Sequence, residues 1–224
     1  MAIDHQTRPT PASSYAPTAR TKRLNGGGTT GNERLTAATG FLLIGGLAVL
    51  GVTILRIRPL LSVHFFVGML LIPPVLLKMA TTGYRFFRYY TNKPQYRRKG
   101  APPALLRMIA PMVLLSTLVV FGTGVALLFI GPSSRDTLLP IHKVSFFIWL
   151  AFTGVHVLGH LIELPELLRA DYGRSAKWSG DVTGRSGRVL ALAGALVAGV
   201  VLAILVIPDF ASWVHASNLF RENG

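Results

Sequence analysis

Five long apolar stretches restrict this chain to a fold built inside a lipid bilayer. Each holds about 20 residues with few charges, the length that an α-helix needs to cross a hydrocarbon layer of ~30 Å. Half of the 224 residues are hydrophobic and only 14% are charged, which excludes an ordinary soluble domain. We therefore predict an all-α integral membrane bundle of five transmembrane helices. The predicted spans are about Leu35–Leu55, Leu60–Ala80, Ile109–Ile130, Ile141–Leu164 and Val189–Ile207.

The bundle is predicted to occupy residues 35–207, with one segment outside it at each end. Residues 1–34 are rich in Thr, Pro, Ala, Ser and Gly, a composition typical of a disordered tail. They contain no short apolar core with a cleavage site, so no removable signal peptide is expected. Residues 208–224 are predicted to form a short external tail, with Trp213 and His215 at the outer interface.

The basic residues are distributed unevenly between the two sides of the predicted bundle. If the N-terminus is cytoplasmic, 18 of the 23 Lys and Arg residues lie on the inner side. This asymmetry follows the positive-inside rule and predicts a cytoplasmic N-terminus in the cell membrane. A basic inner face against anionic lipid also explains the net charge of +14, so we expect membrane lipid, and no nucleic acid, as a partner.

Two histidines in the fourth stretch carry the strongest functional signal. His142 and His156 are fourteen residues apart, which in a helix is ~21 Å of rise and a return to within ~40° of the same face. An imidazole inside a membrane is costly and needs a partner. His64, near the outer start of the second stretch, matches His142 in depth. The two are predicted to bracket one haem near the outer surface.

The same fourteen-residue interval defines a second layer of candidate ligands, nearer the cytoplasmic side. Lys78 follows His64 by fourteen residues, as His156 follows His142. A deprotonated lysine amine can ligate haem iron, so Lys78 and His156 are candidate ligands of an inner haem. The alternative for Lys78 is a snorkelling side chain at the helix end. His160 shares a face with His156 and cannot ligate the opposite side of the same haem. It is expected to be a propionate or proton partner, a histidine at the inner rim, or half of an i,i+4 metal pair.

The absence of cysteine limits the kinds of redox cofactor that the chain could bind. It excludes disulfides, iron–sulfur clusters, thiolate-ligated haem and the covalent attachment of c-type haem. A redox cofactor would therefore be held without covalent bonds, with histidine as the usual axial ligand. The chain also lacks a dinucleotide fingerprint, a P-loop and an H-E-x-x-H sequence, so it is not expected to be a catalytic subunit by itself.

These residues resemble a known family. The segment from His142 through His160, with His64-Phe-Phe-Val-Gly68 upstream, is similar to the membrane-bound b-type cytochromes of bacterial hydrogenases, formate dehydrogenases and related oxidoreductases. The resemblance covers about residues 36–164. It implies a helical bundle that holds one or two haems b and passes electrons between a redox partner subunit and the quinone pool. By the same resemblance, His142 and His156 take the paired positions of one ligand helix, and His64 the outer position of the other. The chain departs from the pattern at Lys78, near where the family would place a second histidine.

Two functions are therefore carried forward. The first is a haem-b membrane protein that acts as a subunit of an oxidoreductase and transfers electrons between a redox partner protein and quinone. The alternative is a non-redox multi-pass membrane protein, either an assembly scaffold or a small transporter with a histidine proton relay.

Overall fold

The computed structural model describes residues 28–98, 104–172 and 184–215, with the backbone alone for 161–172. Within these ranges the chain forms helices and no strand. Five of the helices are long and apolar enough to cross a membrane, which confirms the predicted all-α bundle and makes the chain a multi-pass membrane protein. The helices are α1 Gly28–Leu55, α2 Leu61–Tyr90, the short α3 Pro94–Arg98, α4 Ala104–Ile130, α5 Arg135–Tyr172 and α6 Arg185–Leu205, with 3-10 turns at Pro132–Ser134 and Ile207–Asp209.

Several helices run past the limits that hydropathy predicts. α1 begins at Gly28, so residues 28–34 of the predicted tail are helical, and residues 1–27 lie outside the described part of the chain. α2 continues ten residues beyond Ala80, to Tyr90. The reason is physical: hydropathy marks where a helix leaves the hydrocarbon, whereas the backbone stays helical until a turn or a breaker ends it.

The helices form two groups. α2 packs against both α1 and α6, while α4 packs against α5. The contacts that join the groups are sparse and run mainly between α2 and α4, so α2 and α5 barely touch. Large apolar side chains such as Phe41 and Leu55 are exposed on the outside of the bundle, as expected for helices that contact lipid.

A glycine on α6 allows a close helix crossing with α2. A Cβ at Gly199 would overlap the backbone carbonyl oxygen of Leu70 on α2. That carbonyl lacks its ordinary helical partner, because Pro74 four residues later has no N–H to donate. The fifth transmembrane helix therefore packs on α2 by direct backbone approach, a common arrangement for small residues in membranes.

The segment after α6 belongs to the bundle. Trp213 is 9% exposed and donates its indole N–H to the carbonyl of Leu127 at 3.1 Å. The ring of Phe210 lies 5.3 Å from that of Phe65 on α2. Trp213, which we predict at the outer interface, is thus buried and closes one end of the bundle, while His215 is exposed. The core cluster at this end contains Met69, Leu127, Leu128, Ala203, Val206, Phe210 and Trp213.

Candidate functional site

The structure brings His64 of one helix group and His142 of the other within electrostatic range of each other. His64 lies on α2 and His142 on α5, and both side chains are half-buried. The rings are close enough to interact electrostatically, although the helices that carry them barely touch. The depth match that the sequence predicts therefore places these two imidazoles near each other. Whether they bind iron stays a prediction.

A threonine on α1 fixes the orientation of the His64 ring. The Nδ1 atom of His64 lies 2.8 Å from the hydroxyl oxygen of Thr53. That hydroxyl donates its own proton to the backbone carbonyl of Leu50 at 2.5 Å, so it can only accept from the imidazole. Nδ1 therefore carries the ring proton, and Nε2 of the neutral ring keeps its lone pair. Thr53 is 2% exposed, so no bulk water competes for this bond.

The same arrangement recurs at His142 with residues from α4. Its Nδ1 lies 3.0 Å from the hydroxyl oxygen of Thr123, which donates to the carbonyl of Val119 at 2.8 Å. The ring again carries its proton on Nδ1 and leaves Nε2 as a lone-pair donor. Gly124 provides the room, since a Cβ there would lie 3.2 Å from Cε1 of the imidazole.

Two imidazoles that keep their Nε2 lone pairs and come from separate helices have the donor set that a pair of axial ligands would need. A ligating histidine usually donates its other ring N–H to an oxygen acceptor, which fixes the tautomer and the ring orientation. Thr53 and Thr123 are such acceptors. Gly68, one turn beyond His64 on the same face of α2, has open space where a side chain would begin. A flat macrocycle could approach the backbone there, so these residues fit a haem b.

The inner layer is arranged differently around Lys78. Its Nζ atom donates a hydrogen bond to the backbone carbonyl of Thr36 on α1, at 2.7 Å. Gly40 makes this possible, because a Cβ there would lie 2.9 Å from the amine nitrogen. Lys78 is half-buried and its amine is bonded to a neighbouring helix, and both the ligand role and the snorkelling alternative stay predictions. The amine would have to leave the Thr36 carbonyl before it could bind iron.

His156 lies near enough to Lys78 and His160 for electrostatic interaction. Its ring meets that of His160 edge-on at 4.7 Å, which agrees with their predicted common face, and His160 is exposed. The Nδ1 atom of His156 is buried and has no hydrogen-bond partner among the described residues. Among the residues that the structure describes, no hydroxyl orients this ring as Thr53 orients His64. The described residues contain no group of three or more His, Asp or Glu side chains arranged for a metal ion, so the predicted small-metal pair gains no third ligand.

Sequence reasoning missed Thr53 and Thr123, although the signal was present. Thr53 and His64 lie equally far from the turn at Arg58–Pro59, and Thr123 and His142 equally far from the turn at Pro132–Ser133. Residues at equal distances from the turn of a helical hairpin lie at one depth, because each helix rises by the same amount per residue. Each histidine could therefore have been paired with its threonine.

No protein-family model, no curated protein and no solved structure matches the chain.

Proposed function

We propose that this protein is a membrane b-type cytochrome in which His64 and His142 hold one haem b between α2 and α5. The observation that carries the proposal is the matched pair of imidazoles. In each of them Nδ1 is bonded to a threonine hydroxyl, which leaves the lone pair of Nε2 for a metal ion. The sparse contact between α2 and α5 supports it, because the two ligand helices must stand apart to admit a macrocycle.

The haem, when bound, would supply one-electron chemistry, and the chain supplies the surroundings. His64 and His142 would hold the haem iron through Nε2, with Thr53 and Thr123 holding their rings in the required tautomer. The apolar helices around the site exclude water. A site of this kind passes electrons within the membrane. By the family resemblance, we infer a redox partner protein and the quinone pool as the two ends of the path, and the basic inner face supports location in the cell membrane.

The stoichiometry that the geometry supports best is one haem. Lys78 and His156 stay the predicted ligands of a second, inner haem on the basis of spacing. Their surroundings support that role less, because the amine is bonded to the Thr36 carbonyl and Nδ1 of His156 has no hydrogen-bond partner among the described residues that would orient its ring.

The proposal is tested by the reduced-minus-oxidised absorption spectrum of the purified full-length protein. We expect the bands of non-covalent haem b. The variants His64→Ala and His142→Ala should each remove the same haem, while His215→Ala, which changes an exposed histidine away from the site, should retain it. A colourless protein from haem-replete cells, unchanged after added haem, would exclude the cytochrome and favour the non-redox alternative.

A further inference from the structure

A cavity of about 480 Å³ opens where α2 ends and α3 begins. It is lined by Arg88, Lys93, Pro94, Gln95 and Tyr96. Its volume lies in the range of small-molecule sites, ~300–1,000 Å³. Two of its five lining residues are cations, and neither has a carboxylate within ion-pair distance in the part of the chain that the structure describes. The cavity therefore presents uncompensated positive charge.

Arg88 is held in place by Tyr84, which lies one turn earlier on α2. Its Nε donates to the hydroxyl of Tyr84 at 2.9 Å, and its guanidinium lies 5.1 Å from the centre of that ring. The Tyr84 ring in turn packs edge-on against Tyr96, at 6.2 Å. These contacts use one face and one nitrogen of the guanidinium. They leave its two terminal nitrogens, the pair that binds carboxylate or phosphate oxygens, without a hydrogen bond to any described residue.

Tyr96 adds a neutral donor to the two cations. Burial and the neighbouring Tyr84 raise the pKa of the Tyr96 phenol, so its hydroxyl stays protonated at neutral pH. A protonated phenol can donate to an oxyanion. The residues that line the cavity therefore include a guanidinium held in place, an ammonium and a neutral phenol, a set that suits a phosphate group.

The position of the cavity indicates the source of that phosphate. α2 continues for ten residues after its apolar span ends near Ala80, so its last turns lie beyond the hydrocarbon layer, on the side where the polar headgroups begin. Phe86, Phe87 and Tyr90 on these turns are 60%, 65% and 55% exposed. Aromatic side chains at this depth are typical of the membrane–water interface, where they contact lipid.

We propose that this cavity binds the phosphate of an anionic phospholipid. The terminal nitrogens of Arg88 and the ammonium of Lys93 bind the phosphate oxygens, and the exposed aromatic rings contact the rest of the lipid. Inorganic phosphate offers the same oxygens without a part that could contact the rings, so it binds more weakly. The site is separate from the histidine layers and does not depend on bound haem.

Native mass spectrometry of the full-length protein, exchanged from neutral detergent into micelles that contain phosphatidylglycerol, tests the assignment. The wild-type protein should retain bound phosphatidylglycerol in preference to phosphatidylcholine. Arg88→Gln should weaken retention about tenfold, the loss expected for one charge-assisted contact. The matched control is Arg97→Gln, which removes the same charge from the neighbouring α3, where Arg97 bonds Asn92 and does not line the cavity.

Three results would overturn the proposal. Equal losses in Arg88→Gln and Arg97→Gln would mean that lipid responds to overall charge and not to the cavity. Displacement of the lipid by an equal concentration of inorganic phosphate would assign the site to free anions. Equal retention of phosphatidylcholine would show that the anionic headgroup is not selected. The thermal unfolding of both variants, followed by circular dichroism, checks that neither has lost its fold.

Discussion

Removing the threonine hydroxyl behind a proposed ligand tests how the site is built. In Thr53→Val, the Nδ1–H group of His64 loses its hydrogen-bond acceptor. Because the side chain of residue 53 is only 2% exposed, water does not take the place of the missing hydroxyl. A buried donor without a partner costs ~1–3 kcal/mol. Loss of a partner that orients a metal-ligating histidine usually costs 10–100-fold in affinity for the metal. We therefore expect haem affinity to fall by about 10–100-fold, measured by titration of haem into apoprotein in detergent.

The chain offers a matched control on the same helix. Thr39 is also a fully buried threonine of α1, but its hydroxyl donates only to the carbonyl of Leu35 in its own helix. Thr39→Val should leave haem affinity near the wild-type value, and Thr53→Ser should restore most of what Thr53→Val loses. Equal affinity in the two valine variants would refute the role of the hydroxyl in orienting His64. A parallel loss in Thr123→Val would extend the result to His142.

Two further predictions concern packing and stoichiometry. Gly199→Ala should lower the thermal unfolding temperature, because the added Cβ meets a backbone oxygen that cannot rotate away. Gly194→Ala is the control, because its added Cβ enters open space and should leave the unfolding temperature unchanged. Equal effects of the two variants would contradict the close crossing of α6 on α2. Lys78→Met should leave the spectrum of the outer haem intact, because the amine bonds α1. If Lys78 ligates a second haem, the same variant should reduce the haem content from two per chain to one.

The sequence was sufficient to predict the membrane architecture. In lipid the backbone groups must be satisfied inside the protein, which favours continuous helices, so apolar length alone indicates a span. It did not predict where α2 and α5 end, because helices continue into the headgroup region after the apolar residues stop. Nor did it place Trp213, whose burial depends on how the residues after α6 fold back over α4.

The candidate site was predictable in depth but not in detail. Equal intervals on α2 and α5 placed His64 with His142 and Lys78 with His156, because helical rise converts spacing into depth. Spacing alone could not predict which neighbouring helix the Lys78 amine would contact. That contact depends on the gap that Gly40 leaves on α1 and on the carbonyl of Thr36 behind that gap. Spacing along one helix contains no information about such openings on its neighbour.

The central claim is that His64 and His142 ligate the same iron. The most direct measurement is low-temperature electron paramagnetic resonance of the oxidised protein, made on the wild type and on His142→Gly with and without free imidazole. We predict a low-spin signal in the wild type, its conversion to high spin or its loss in the variant, and its return when imidazole fills the space of the missing ring. A wild-type protein with only high-spin iron, or a low-spin signal that survives His142→Gly unchanged, would contradict the claim.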